Sequence, residues 1–132
     1  MTRYAIDAEV ALRLVLDRSD ADRRHELVGP SVLRSQVMSI LFRAVRIGQL
    51  TPEEGRQHLE RLAGMKIRLL GDRVSRSTAW KIADRLGWDD IGPAEYLAVA
   101  TLQADFLVTE NERLSSAADG IIDIVDYEAL AA

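Results

Sequence analysis

The chain has 132 residues, 48% hydrophobic and 29% charged, with a formal net charge of −4. That length and balance describe one soluble globular domain over residues 1–132, and the acidic excess argues against bulk attraction to nucleic acid, though not against a local basic rim. No apolar run approaches the roughly 20 residues that span a bilayer, no signal-peptide pattern fits before the first strand-like run, and the lack of cysteine excludes disulfides and thiolate chemistry, so a cytoplasmic protein is expected.

In chain order, Tyr4 and Ile6 suit a buried strand that closes on the carboxylate of Asp7. Apolar residues at 8, 11, 12, 15 and 16 then predict a helix. Residues 17–25 read as a charged connection containing His25; with His58 as the other histidine, a His-rich zinc site is not indicated. Residues 26–28 read as a second strand stopped by Gly29-Pro30. Ser31 then opens a long helix whose apolar face reads Leu33, Val37, Ile40, Leu41, Ala44 and Val45, with Gln36 as a polar intruder on that face.

Gly48 ends this helix, and Thr51-Pro52-Glu53-Glu54 starts another with a capping box and a first-turn proline. Residues 66–70 predict a third strand, closed by Gly71-Asp72, and Ser75 or Ser77 opens a helix ended by Gly87. A loop over residues 89–93 leads to a helix over 94–103, and Phe106-Leu107-Val108-Thr109 is the most strand-like run in the chain. Thr109 with Glu112 gives a second capping-box pattern, and residues 121–125 form a last strand. Strands alternating with helices predict a mainly parallel, five-stranded sheet covered on both faces.

A parallel sheet brings the carboxyl ends of its strands to one rim, where ligands gather. Asp7, Asp72 and the group Glu110-Asn111-Glu112 fall just past such ends, and Gln36 with Asp89 and Asp90 join them if their helices pack over the rim. Several converging carboxylates would suit Mg²⁺ or Mn²⁺ and metal-activated water. This set mixes carboxylates with amides. Each residue also has a purely structural reading: Asp7, Asp90 and Asn111 as caps or turn residues, Gln36 as a satisfied buried amide, Glu110 and Glu112 as partners of a helix dipole. Arg68, Arg73, Arg76, Lys81 and Arg85 read as a phosphate-facing strip or as a solvated face.

Four stretches together resemble the PIN-domain family, specifically its VapC-type toxins of toxin–antitoxin pairs: residues 4–7, residues 32–41, residues 88–100 with Ala94-Glu-Tyr-Leu-Ala-Val-Ala, and residues 107–114 with Leu-Val-Thr-Glu-Asn-Glu-Arg-Leu. The resemblance covers essentially the whole chain and implies a three-layer α/β/α fold, a Mg²⁺-dependent endoribonuclease, a homodimer and a small antitoxin partner. It also implies four acidic site positions. These fall here on Asp7, Gln36, Pro93 and Asn111, so one of four remains a carboxylate.

Two functional expectations follow from that pattern. In one, the protein is a VapC-like relative with a largely substituted metal site, weak or silent as a ribonuclease and acting through binding. In the other it is a divergent Mg²⁺- or Mn²⁺-dependent endoribonuclease that ligates metal with Asp7, Asn111 and a displaced Asp90. A phosphate-accepting signalling domain is set aside, because Asp126 and Tyr127 follow the last strand where that chemistry wants a lysine.

Overall fold

Successive residues of a strand face opposite sides of its sheet, so a strand buried at consecutive positions must be covered on both faces. Three strands meet that test: Ala5 and Ile6, Leu27 and Val28, and Leu107 and Val108 are all at most 2% exposed. The computed structural model describes residues 1–131. Its strands are β1 (Arg3–Ile6), β2 (Glu26–Pro30), β3 (Arg68–Leu70), β4 (Phe106–Val108) and β5 (Asp123–Val125). Between them lie α1 (Ala8–Leu16), α2 (Ala21–Arg24), α3 (Leu33–Arg46), α4 (Pro52–Gly64), α5 (Arg73–Leu86), α6 (Gly92–Gln103) and α7 (Glu112–Ala117), and a 3₁₀ turn follows at Tyr127–Leu130.

The sheet order is β3-β2-β1-β4-β5, and every neighbouring pair is parallel. The sheet is thus wholly parallel, flanked by helices in three α/β/α layers. From β1 the chain runs outward one way through β2 and β3, then returns to the other side for β4 and β5. The switch point therefore lies between β1 and β4, which pair from Tyr4↔Phe106 to Ile6↔Val108. Helix α6 packs against β1, β2, β4 and α5. Its run of Ala94, Leu97, Ala98, Val99 and Ala100 is buried all round, as small side chains allow. No helix among the described residues is long and apolar enough to cross a membrane.

The capping box at Thr51 forms as the sequence predicts: Thr51 Oγ1 accepts from the Glu54 N–H at 3.1 Å, and Glu54 Oε1 accepts from the Thr51 N–H at 2.9 Å. Gly87 likewise ends α5 in the left-handed region, at φ 67°. Elsewhere the boundaries move. The charged connection contains α2, a single turn held by its buried Ala21. Strand β2 continues through Gly29 and Pro30, because the next donor, the Ser31 N–H, takes up the ladder by donating to the Leu70 carbonyl at 2.9 Å. A Cβ at Gly29 would lie 2.7 Å from Leu33 Cδ1, so a larger residue there would have to displace that buried side chain. Ser31 accordingly does not cap α3, which starts after Val32 without a side-chain cap.

Strand β3 begins at Arg68, not Lys66, and β5 at Asp123, not Ile121. Asp72 rather than a serine caps α5, with Oδ1 accepting from the Ser75 N–H at 2.8 Å. Of the apolar face expected for α3, Leu33, Val37 and Leu41 are buried, whereas Ile40 is 38% exposed.

Candidate functional site

Asp7 leaves β1 with an extended backbone and caps α1, its Oδ1 accepting from the Val10 N–H at 2.8 Å. Across the switch point, the Thr109 hydroxyl just beyond β4 donates to Asp7 Oδ2 in a very short hydrogen bond. The same hydroxyl oxygen accepts from the Asn111 N–H at 3.0 Å, and Asn111 Oδ1 in turn caps α7 by accepting from the Leu114 N–H at 3.1 Å. Asp7 is 4% exposed and Thr109 3%. Burial pushes the Asp7 carboxyl above the ordinary carboxylate value; the bonds from Thr109 and Val10 oppose that rise, while the charges of Glu9 and Glu110 add to it.

Gln36 reaches the same place from α3. Its Oε1 accepts a very short hydrogen bond from the hydroxyl of Tyr96 on α6. The Tyr96 phenol is held well above its usual range, first by burial and then by the charges of Asp7 and Glu95. Together Asp7, Gln36, Asp90, Pro93, Tyr96 and Asn111 line a cavity of about 310 Å³, which Glu9 and Arg113 also border. Asp90 is exposed, and its Oδ1 accepts from the Gly92 N–H at 3.0 Å, shaping the turn into α6. Arg113 lies with Cζ 4.4 Å from the centroid of the Trp88 ring.

The other sequence candidates lie outside this cavity. Asp72 caps α5, Glu110 pairs with Arg13 at 2.8 Å, and neither Asp89 nor Glu112 lines the wall. Glu95 is half-buried, its carboxyl pushed up by burial and by the charge of Asp90.

The chain matches no family model and no curated protein. Solved structures do resemble it. PAE2754 from Pyrobaculum aerophilum superposes with a TM-score of 0.78 at 21% identity, over 98% of this chain and 92% of that one. VapBC2 from Rickettsia felis, solved bound to a DNA fragment from its promoter, gives 0.65 at 8% identity over 95% and 98% of the two chains. VapBC-1 from nontypeable Haemophilus influenzae gives 0.59 at 13% identity over 96% and 99%. This fold is PIN-like. At such identities the likeness is one of fold, and the chemistry has to be read from the side chains in the PIN-like frame.

Those side chains do not fit a hard divalent cation. Mg²⁺ and Mn²⁺ need several oxygen ligands that bring negative charge. Among the described residues no three His, Cys, Asp or Glu side chains come together closely enough to hold a metal. Among the described residues Asp7 is the one buried carboxylate, and each of its oxygens already accepts a protein hydrogen bond. Gln36 and Asn111 supply uncharged carbonyl oxygens that are likewise engaged, Pro93 supplies nothing, and Arg113 brings a positive charge to the same wall.

Sequence reasoning missed Glu9, Tyr96 and Arg113 as parts of this wall. Glu9 and Arg113 each stand two residues beyond a named candidate, Asp7 and Asn111, and that proximity was the available signal. Both are exposed polar residues on helices, which looks the same as an ordinary solvated face.

Proposed function

We propose that the chain is a VapC-like PIN-domain protein of toxin–antitoxin type whose cation site is substituted, so that it is weak or silent as a ribonuclease and acts through binding. The observation that carries this reading is the donor set at the switch point: one buried carboxylate, its charge disfavoured by burial, among two amides and a proline. At 4 Å and an effective dielectric of 20, each carboxylate replaced by a neutral side chain forfeits roughly 4 kcal/mol per unit charge pair before desolvation. Three such replacements remove many powers of ten from the affinity for a divalent ion.

A homodimer and a small antitoxin are the partners that this reading implies. The VapBC likeness supports the second, as does an apolar groove of about 300 Å³ between α3 and α4. Met38 (46% exposed), Phe42 (67%) and Leu59 (39%) open onto that groove and suit an apolar segment of such a partner.

The deciding experiment restores acids at the three positions. Gln36→Glu, Pro93→Asp and Asn111→Asp together are expected to raise Mn²⁺ affinity by at least a hundredfold over the parent chain, measured by calorimetric titration. A folded triple variant that gains no affinity overturns the placement of the site. Tight Mn²⁺ binding by the parent, abolished by Asp7→Asn, would overturn this reading and favour the alternative, a divergent endoribonuclease acting on RNA with Asp90 as a displaced ligand.

A further inference from the structure

A second cavity lies at the other end of the sheet. It occupies about 600 Å³ beside the amino ends of β1, β2 and β3, which are adjacent strands. Its floor is apolar, formed by Leu27, Val28 and Ile67, all at most 8% exposed. Five cationic side chains line it against two carboxylates, a local positive excess in a chain whose net charge is −4.

The two carboxylates are already engaged. Glu26 pairs with Arg3 at 3.3 Å, and Asp22 Oδ2 accepts from the backbone N–H of Lys66 at 2.9 Å. The second contact consumes a backbone donor and leaves the Lys66 ammonium uncommitted. Among the described residues, neither that ammonium nor the Arg23 or Arg68 guanidinium makes a salt bridge, and all three residues are exposed. His25 closes one side as a fixed wall: its Nε2 lies 3.1 Å from the Leu130 carbonyl oxygen, and its ring meets Tyr4 edge-on at 5.3 Å.

We propose that this pole binds a phosphorylated ligand of nucleotide size, with the phosphates on Arg23, Lys66 and Arg68 and the uncharged body over the apolar floor. Guanidinium groups match phosphate oxygens bidentately, and lysine adds a compact charge. A concavity of this volume falls within the roughly 300–1,000 Å³ of small-ligand sites. A flat basic strip for a long polyanion would have neither the depth nor the apolar floor. The proposal does not depend on the state of the Asp7 cavity, because the two sites share no lining residue.

The test is a calorimetric titration of the full chain with ADP at low salt, with backbone NMR shifts read in parallel. ADP is expected to bind and to move resonances within residues 22–28 and 66–68. Adenosine, without phosphate, should bind at least tenfold more weakly, and Arg68→Glu or Lys66→Glu should each weaken ADP at least tenfold. Arg73→Glu, an equal charge change on α5 outside the cavity, should leave ADP affinity within twofold. A 5′-phosphorylated trinucleotide distinguishes two sources of the same chemistry: affinity equal to that of ADP points to an RNA 5′ end, and weaker binding to a free nucleotide. No ADP binding at millimolar concentration overturns the proposal. So does an effect of Arg73→Glu as large as that of Arg68→Glu, or shifts confined to the Asp7 cavity.

Discussion

Asp7 follows β1 and caps α1, while Asp72 follows β3 and caps α5, and in both Oδ1 accepts the N–H three residues ahead at 2.8 Å. The local chemistry is the same and the environments are not. Asp7 stands at the switch point of the central strand, 4% exposed, with Thr109 of the neighbouring strand's end bonded to its second oxygen. Asp72 stands beyond the edge strand in solvent. Their carboxyls shift in opposite directions: burial drives Asp7 up, and the hydrogen bonds of Ser75 draw Asp72 down. Capping geometry therefore does not single out a site residue; strand order does, by deciding which cap is desolvated and which faces water.

The strongest way to break this contrast is Thr109→Val, which keeps the side-chain shape and deletes the hydroxyl. Asp7 Oδ2 then loses its donor and the Asn111 N–H its acceptor, both near the buried switch point. A buried polar group left unmatched costs about 1–3 kcal/mol. The expected outcome in urea unfolding at pH 7 is a loss of that size, shrinking at low pH where the Asp7 carboxyl is protonated. A variant as stable as the parent at pH 7 would mean that the carboxyl takes its support from elsewhere.

Asp7→Asn sharpens the comparison through its pH dependence. A carboxyl whose folded pKa is raised favours the folded state most below its ordinary value of 3.8, and that advantage is lost as pH rises through the folded pKa. The asparagine has no such loss, and its carbonyl still caps α1. The stability of Asp7→Asn relative to the parent should therefore improve as pH is raised from below 3.8 to neutrality. A relative stability that falls over that interval would show the charge to be stabilised, as a site holding a cation would require.

How much of this was legible in the sequence follows the same division. Elements with their own periodicity or cap were readable: five strands, the capping box at Thr51 and the stop at Gly87. Asp7 was readable because a short apolar run ends on it. Thr109 does not cap α7: the spacing from Thr109 to Glu112 looks local, whereas its hydroxyl is committed to a residue 102 positions away. Asn111 takes over the cap for that reason. Helix α2 is only four residues long and mostly charged, so no period marked it. The amino-pole cavity draws on residues near 3, 22–28 and 66–68, which only the order β3-β2-β1 brings together.

The smallest effect is expected from Asp72→Asn. Its folded pKa is lowered, so its contribution is present above the ordinary value of 3.8 and is lost as pH falls through the folded pKa. Asparagine keeps the cap and removes only the charge, so the variant should be slightly less stable than the parent at neutral pH and equal to it in acid. That sign is opposite to the one expected at Asp7. Because Asp72 is exposed, the difference should also fade with added salt, while the Asp7→Asn difference, set by burial, should persist. Denaturation curves of both variants at two pH values and two salt concentrations separate the cases. If the two aspartates responded with the same sign and the same salt dependence, desolvation would not distinguish the switch-point carboxyl from an ordinary helix cap. Asp7 would then carry no electrostatic mark of a substituted site.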